Sequence, residues 1–399
     1  MATIVDYVRS ANEGFDRRPL GRVDSLCLSW LAYLRLPEEL EAACGEGVRL
    51  SQLADDEARH RLVATMHDAE ETMRMLDALA ASPRFAGVRV GGCLADSSDE
   101  PVRQFAGMTF SLPDGGGTYV SFRGTDDTVF GWKENFRLVS DEPVASQVSA
   151  AAYLNRVGRV ATSPLYVGGH SKGGNLAVYA CGMVRDGVRS RIETCFSHDG
   201  PGLNPQLVEL TGWQGGVAID KTVPRESLVG MLFERSQDGL TIVRSTAQGP
   251  RQHAPLSWEV SGDDFVCERG LDYDAWRLSQ RLNDWLEAMG ARDCACFAEL
   301  LSWLLDVTGE TTFSGLLRRW SMNSAAMREA LAAAPFEDRT LFERVMGDLV
   351  ATVALGSAQE HARPEAGTPE AAGSAARRVE DLSAHVDDRL SRIDRYLGL

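Results

Sequence analysis

Apolar positions recur at helical spacing toward both ends of the chain and in short runs through its middle. Leu26, Leu28, Trp30, Leu31, Tyr33 and Leu34 mark a buried helix, and Ala64, Met66, Met73, Leu76 and Leu79 a second, because residues three and four apart share one helical face. Across residues 105–122 the period changes. An apolar-rich run at 105–112, the turn Pro113-Asp114-Gly115-Gly116-Gly117 and a second run at 118–122 predict a strand, a tight turn and a strand. After a helical stretch near 148–157, short apolar runs follow at 165–167, 192–196, 217–219 and 240–243, separated by helix-like or loop segments. That alternation predicts an α/β fold with a central, mostly parallel sheet.

The same pattern divides the chain. A helical lead-in over 1–90 and a sheet core over 105–260 form a domain spanning 1–264. A helical extension covers 265–355, where Trp276, Leu282, Trp285, Leu286, Leu300, Trp303 and Leu304 recur at spacings of three and four and are expected to be core. Residues 356–378, rich in Ala, Gly, Pro, Glu and Ser, read as a flexible linker with too little apolar surface to fold alone. Beyond it, Val379, Leu382, Val386, Leu390, Ile393 and Leu397 share one face of an amphipathic C-terminal helix over 379–399. Such a helix docks on its own domain or on another chain, so self-association through it is one expectation.

Composition narrows the classes. Hydrophobic residues make up 44% and charged residues 25%, as in folded globular chains, and no apolar run reaches the ~18 residues of an integral membrane segment. A net charge of −16 with no segregated basic patch disfavours nucleic acid as a partner. The start, Met-Ala-Thr-Ile-Val-Asp-Tyr, does not read as a secretory signal, so a cytoplasmic location is expected. Cysteines 27, 44, 93, 181, 195, 267, 294 and 296 are scattered, and the close pair Cys294 and Cys296 lacks a second pair at zinc-site spacing. Buried thiols are expected, without disulfides or metal.

The strongest chemical signal is Tyr166-Val167-Gly168-Gly169-His170-Ser171-Lys172-Gly173-Gly174-Asn175. An apolar strand runs into Gly-His-Ser-Lys-Gly and then a helix former run, the context that a Gly-x-Ser-x-Gly nucleophile elbow needs. Ser171 sits at a tight bend, so the glycines two positions away on each side let strand and helix approach closely. The bend also places the hydroxyl at a helix N-terminus, where free amides favour a developing negative charge.

A serine hydroxyl needs a base within hydrogen-bond reach. Of seven histidines, His60 and His67 precede the sheet, His361 lies in the linker and His385 in the tail. His170 occupies the elbow's variable position and is expected to point away from Ser171. His198 and His253 remain, and His253, in the turn-rich stretch 248–255 after the last strand, fits the order nucleophile, acid, histidine of the hydrolases that the elbow resembles. His198 is expected to be buried or orienting.

Gly-His-Ser-Lys-Gly-Gly-Asn resembles the nucleophile elbow of class 3 lipases and their bacterial relatives within the α/β-hydrolase superfamily, whose usual form is Gly-His-Ser-Leu-Gly-Gly. Val120-Ser121-Phe122-Arg123-Gly124-Thr125 is similar to their strand-end Phe-Arg-Gly-Thr. With Asp199-Gly200-Pro201-Gly202 and Gln252-His253, the chain over about 1–260 resembles a lipase-like bacterial family of largely unknown function. The resemblance implies an α/β-hydrolase fold and an oxyanion hole built from the N–H of Thr125, its hydroxyl assisting, and the N–H of Lys172, the residue after the nucleophile. For the acid it leaves alternatives. Asp199 stands where lipases that carry the acid after the strand following the elbow strand have it; class 3 lipases carry theirs one strand later, pointing to Glu226 or Asp220, with Asp238 a further option.

Lys172 departs from the apolar residue of the lipases and places a cation beside the elbow, which argues against a purely apolar acyl pocket. Arg123 is expected to be ion-paired and structural. Phe130, Trp132 and Phe136 either line an acyl groove or simply pack, and Met231, Leu232 and Phe233 are expected in the core.

The expectation is therefore a serine esterase or lipase-like hydrolase with Ser171, His253 and Asp199 as triad, acting on a small-molecule or lipid ester without metal or organic cofactor. A catalytically inactive scaffold binding an acyl ligand or a protein is the alternative. Phosphate or dinucleotide binding through the glycines is weak, because no phosphate-loop or dinucleotide fingerprint opens a first βαβ unit.

Overall fold

The computed structural model describes residues 2–36, 47–54, 62–63, 66, 68–99, 102–139 and 142–358. The expected helix over 379–399, all but the first residues of the linker, and His60, His67, His361 and His385 lie outside the described residues. The chain divides into two compact units, Met1–Glu299 and Leu300–Leu399.

Among the described residues of the first unit, eight strands form one sheet in chain order: β1 (Val48–Arg49), β2 (Arg89–Asp99), β3 (Val102–Leu112), β4 (Gly117–Phe122), β5 (Leu165–His170), β6 (Ile192–His198), β7 (Ile219–Pro224) and β8 (Leu240–Val243). Neighbours from β1 to β4 are antiparallel, and those from β4 to β8 parallel.

Alternate residues of the central strands enter two different cores, as the two-residue period of a strand requires. Tyr119, Tyr166 and Phe196 pack with Leu26, Leu28 and Leu79 of the N-terminal helices. Val120, Val167 and Cys195 pack with Leu154, Leu176 and Ala180 of the helices Ala145–Gly158 and Lys172–Met183. Parallel strands laid down in sequential order, joined by right-handed crossovers, put every crossover on the same face. The opposite face would be left bare. The helices Ile4–Ser10, Arg22–Leu31 and Ala69–Ala81 cover it, which is why a helical lead-in precedes the parallel strands.

The sheet begins earlier than the hydrophobic pattern indicates. β2 was hidden because it is polar, half-exposed and carries a register shift between Gly91 and Leu94, so the alternation that reveals a strand is broken. β7 likewise starts at Ile219, not 217, and runs on through Asp220, Lys221 and Thr222. Those polar residues disguise it, yet Lys221 and Thr222 are buried.

The helix Tyr273–Met289, whose stripe predicted a C-terminal extension, packs on the β7–β8 region. Trp276 lies against the cluster of Val223, Met231 and Ile242. Buried Asn283 donates to the carbonyls of Met231 (3.0 Å) and Glu234 (2.9 Å) and accepts from Phe233 N–H (2.8 Å). Met231 is fully buried, while Leu232 and Phe233 are half-buried.

The helix Ala291–Val307 crosses the division, and the second unit holds the helices Phe313–Arg318, Trp320–Ala333 and Phe336–Ala358. Leu300 and Leu304 are core, but Trp303 is 41% exposed, against the expectation for that stripe. Among the described residues no helix is long and apolar enough to cross a membrane. The described cysteines are free thiols, with Cys27, Cys181, Cys195 and Cys294 buried as expected and Cys267 and Cys296 exposed.

Candidate active site

Ser171 joins the end of β5 to the helix Lys172–Met183 at φ 58° and ψ −132°. A side chain at such a backbone costs on the order of 1–3 kcal/mol and persists only where the surroundings enforce it. Here they do. A Cβ on Gly169 would lie 2.3 Å from the carbonyl carbon of Gly173, and one on Gly173 would lie 2.1 Å from the carbonyl oxygen of Phe122, so strand, helix and the end of β4 meet only through glycine. The N–H of Ser171 donates to the carbonyl of His198 at 2.9 Å, tying the bend to the end of β6.

Asp199 follows β6 directly and is buried. Its Oδ1 accepts from the Ser227 hydroxyl and from the N–H of Gly230 (3.2 Å). Its Oδ2 lies 2.6 Å from Nδ1 of His253. Because β5 and β6 are parallel neighbours with His170 opposite His198, Ser171 and Asp199 emerge at adjacent strand ends. His253 closes the short 3-10 turn Gly249–His253, and Glu226 holds that turn by accepting from Gly249 N–H and Gln252 Nε2, each at 2.8 Å. Among the four carboxylates considered, Asp199 is the one bonded to the imidazole. Asp220 instead pairs with Arg22 at 2.8 Å, and Asp238 is exposed.

Neither the Ser171 hydroxyl nor Nε2 of His253 has a hydrogen-bond partner among the described residues, and the same holds for the N–H groups of Thr125 and Lys172. For Lys172 that is the usual state of a first-turn amide. The Thr125 hydroxyl, expected to assist, donates to Asn135 Oδ1 at 2.7 Å and is already committed. Among the described residues no cluster of His, Cys, Asp and Glu is suited to a metal ion.

His170 is not a bystander. Its ring centroid stands 4.7 Å from that of His253, and its Nε2 donates to the His253 carbonyl at 2.8 Å. A carbonyl only accepts, so Nε2 carries the proton, and Nδ1 is left to accept from Tyr33 O–H at 3.2 Å. Burial, reinforced by the neighbouring His253, pushes the His170 pKa well below the ordinary histidine value, so the ring is neutral. Its full burial at a strand end was the missed quantity, which spacing does not report. His198 is buried with its Nε2 2.9 Å from Ser25 Oγ, and burial pushes its pKa down to about 3.

The Lys172 cation expected beside the elbow is not exposed there. It is buried against Glu134 (2.9 Å) and the Gln104 carbonyl (3.0 Å). Glu134 also accepts from Gln104 N–H (3.0 Å) and Ser146 N–H (2.9 Å), so the pair ties the elbow helix to β3 and to the helices Val129–Arg137 and Ala145–Gly158. Trp132 and Phe136 pack on each other with centroids 6.4 Å apart, while Phe130 faces a cavity.

The architecture and these contacts define an α/β protein with a strained serine at a strand-to-helix bend and, at the adjacent strand end, an aspartate bonded to a histidine. A family model described as Mbeg1-like matches residues 79–302, and the chain belongs to the Mbeg1-like family. Neither a curated protein nor a solved structure matches it.

Proposed function

We propose that the chain is a serine hydrolase of the α/β-hydrolase superfamily, cleaving carboxylic esters through an acyl-enzyme. The observation that carries this reading is the 2.6 Å contact between Asp199 Oδ2 and His253 Nδ1, set beside a nucleophile-type bend at Ser171. A carboxylate on Nδ1 holds the tautomer whose Nε2 has the lone pair, and stabilises the imidazolium once Nε2 takes a proton.

In this reading Nε2 of His253 removes the Ser171 proton as Oγ attacks the ester carbonyl. The vacant N–H groups of Thr125 and Lys172 receive the oxyanion, a role in which loss of one donor costs about 10²- to 10³-fold in rate. His253 then protonates the leaving alcohol, and water, activated by the same base, releases the acid. No step needs a metal or organic cofactor.

The test is labelling of the full chain with a fluorophosphonate probe, alongside hydrolysis of p-nitrophenyl esters from acetate to palmitate. Labelling that disappears in Ser171→Ala supports the reading. A folded wild-type chain that does not label, and hydrolyses none of the esters, sinks it in favour of a non-catalytic scaffold.

A further inference from the structure

A cavity of about 480 Å³ opens beside the loop that carries Thr125, within the ~300–1,000 Å³ usual for small-molecule sites. Leu34, Leu94, Met108 and Phe130 give it an apolar wall, and Arg35, Arg123 and Asp126 a charged one. The Arg123 side chain is only 9% exposed, its Nε is buried without a partner, and its Nη2 stands 3.8 Å from Asp126 Oδ2, beyond hydrogen-bond distance. Arg35 Nη2 approaches the same oxygen at 3.5 Å.

The other oxygen of Asp126 is already used. Its Oδ1 accepts from Thr128 N–H (2.9 Å), the Thr128 hydroxyl and Gln104 Nε2. Among the described residues, two guanidiniums thus share one carboxylate oxygen. A buried guanidinium without an acceptor is costly, and its planar fork suits two oxygens of a single anion. Arg123 is ion-paired with Asp126, as expected, but at 3.8 Å it makes no hydrogen bond to that carboxylate.

We propose that this cavity binds the anionic end of an amphipathic ligand, an aliphatic chain bearing a phosphate or a carboxylate, with Arg123 and Arg35 as the anion-binding pair. The wall of Leu34, Leu94, Met108 and Phe130 takes the chain. Thr125 lies between Arg123 and Asp126, so the ligand ends on the loop that supplies one of the vacant N–H groups. Resting on the hydrolase reading, the substrate class is an anionic, lipid-like ester; binding itself does not depend on turnover.

The experiment titrates the full-length Ser171→Ala protein calorimetrically with dodecyl phosphate, dodecanoate and dodecanol below their aggregation limits. At least one anion is expected to bind tenfold or more tighter than dodecanol, phosphate preference marking a phospholipid-type headgroup and carboxylate preference a fatty-acid-type one. Adding Arg123→Met is expected to weaken that binding about ten- to a hundredfold while leaving the Tm unchanged or higher, since a buried guanidinium that makes no hydrogen bond is removed. Arg35→Gln, at a half-exposed position, is expected to weaken it severalfold. Binding of dodecanol as tight as both anions, or an anion affinity that survives both substitutions, overturns the proposal. Anion binding in a chain that fails to label with fluorophosphonate keeps the cavity and removes the hydrolase; labelling without anion preference does the reverse.

Discussion

His170 hooks the loop of His253 onto the strand that presents Ser171, through a 2.8 Å hydrogen bond from its Nε2 to the His253 carbonyl and a ring contact at 4.7 Å. The residue before the candidate nucleophile therefore positions the candidate base. Replacing it with Phe keeps a ring and deletes the donor. We expect His170→Phe to slow fluorophosphonate labelling about tenfold, the scale of one hydrogen bond, with His170→Gln recovering part of the loss. Equal labelling rates for all three would show that the bond has no positioning role.

The backbone strain at Ser171 makes a separable prediction. At φ 58° a glycine avoids the Cβ penalty that an alanine keeps, offset in part by its greater unfolded-state entropy. Both Ser171→Ala and Ser171→Gly should lose all labelling, yet the glycine variant should melt a few degrees higher, on the order of 1 kcal/mol. Identical melting temperatures would mean the bend is unstrained.

Asp199 and Glu226 should differ in the character of their losses. Asp199→Asn cannot hold the imidazole tautomer or balance its charge, and we expect activity to fall by up to roughly 10⁴-fold, the scale known for such a substitution in a serine protease. Glu226→Gln keeps an acceptor for only one of the Gly249 and Gln252 donors, but leaves the carboxylate on the imidazole in place and should cost much less. If the two lose activity equally in ester hydrolysis, the assignment of the acid to Asp199 fails.

Lys172 and Glu134 form a pair whose members are each nearly inaccessible. Burial lowers the Lys172 pKa while Glu134 opposes that shift, and removing one partner strands the other's charge. Lys172→Met is expected to cost about 3–5 kcal/mol in denaturant unfolding, with Lys172→Met/Glu134→Gln recovering most of it. Additive losses would show that the two side chains do not act as a pair.

Acid should destabilise the fold through its buried imidazoles. The His198 pKa falls from an ordinary 6.5 to about 3 on folding, and that of His170 is lowered well below 6.5. The unfolded chain therefore binds more protons below about pH 6.5, so this stability is present above that pH and is lost progressively as pH falls toward 3. We expect the Tm to decline over that window and His198→Gln to flatten the decline. A His198→Gln curve parallel to wild type would contradict the burial of a neutral ring.

How much of this was legible beforehand follows from what each feature depends on. The bend at Ser171, the turn between β3 and β4 and the apolar runs of β4, β5 and β6 are local, written in residue periodicity and in glycines that steric crowding demands. The sequence also placed His253 after the last strand and supplied Asp199 as a candidate acid. The resemblance to lipases left four carboxylates open, however, and only the parallel register of β5 and β6 puts Asp199 beside the serine and leaves Asp220 to Arg22.

Polar residues that are buried by distant partners were misread or missed for the same reason. Lys172 reads as a cation beside the elbow until Glu134 and Gln104 enclose it, and the bond from His170 to the loop of His253 exists only once that loop folds onto it. β2 escaped because a bulged, half-exposed strand keeps no clean alternation. Local sterics and hydrophobic period are properties of neighbouring residues in the chain, whereas burial, pairing and the protonation they impose belong to residues brought together across it.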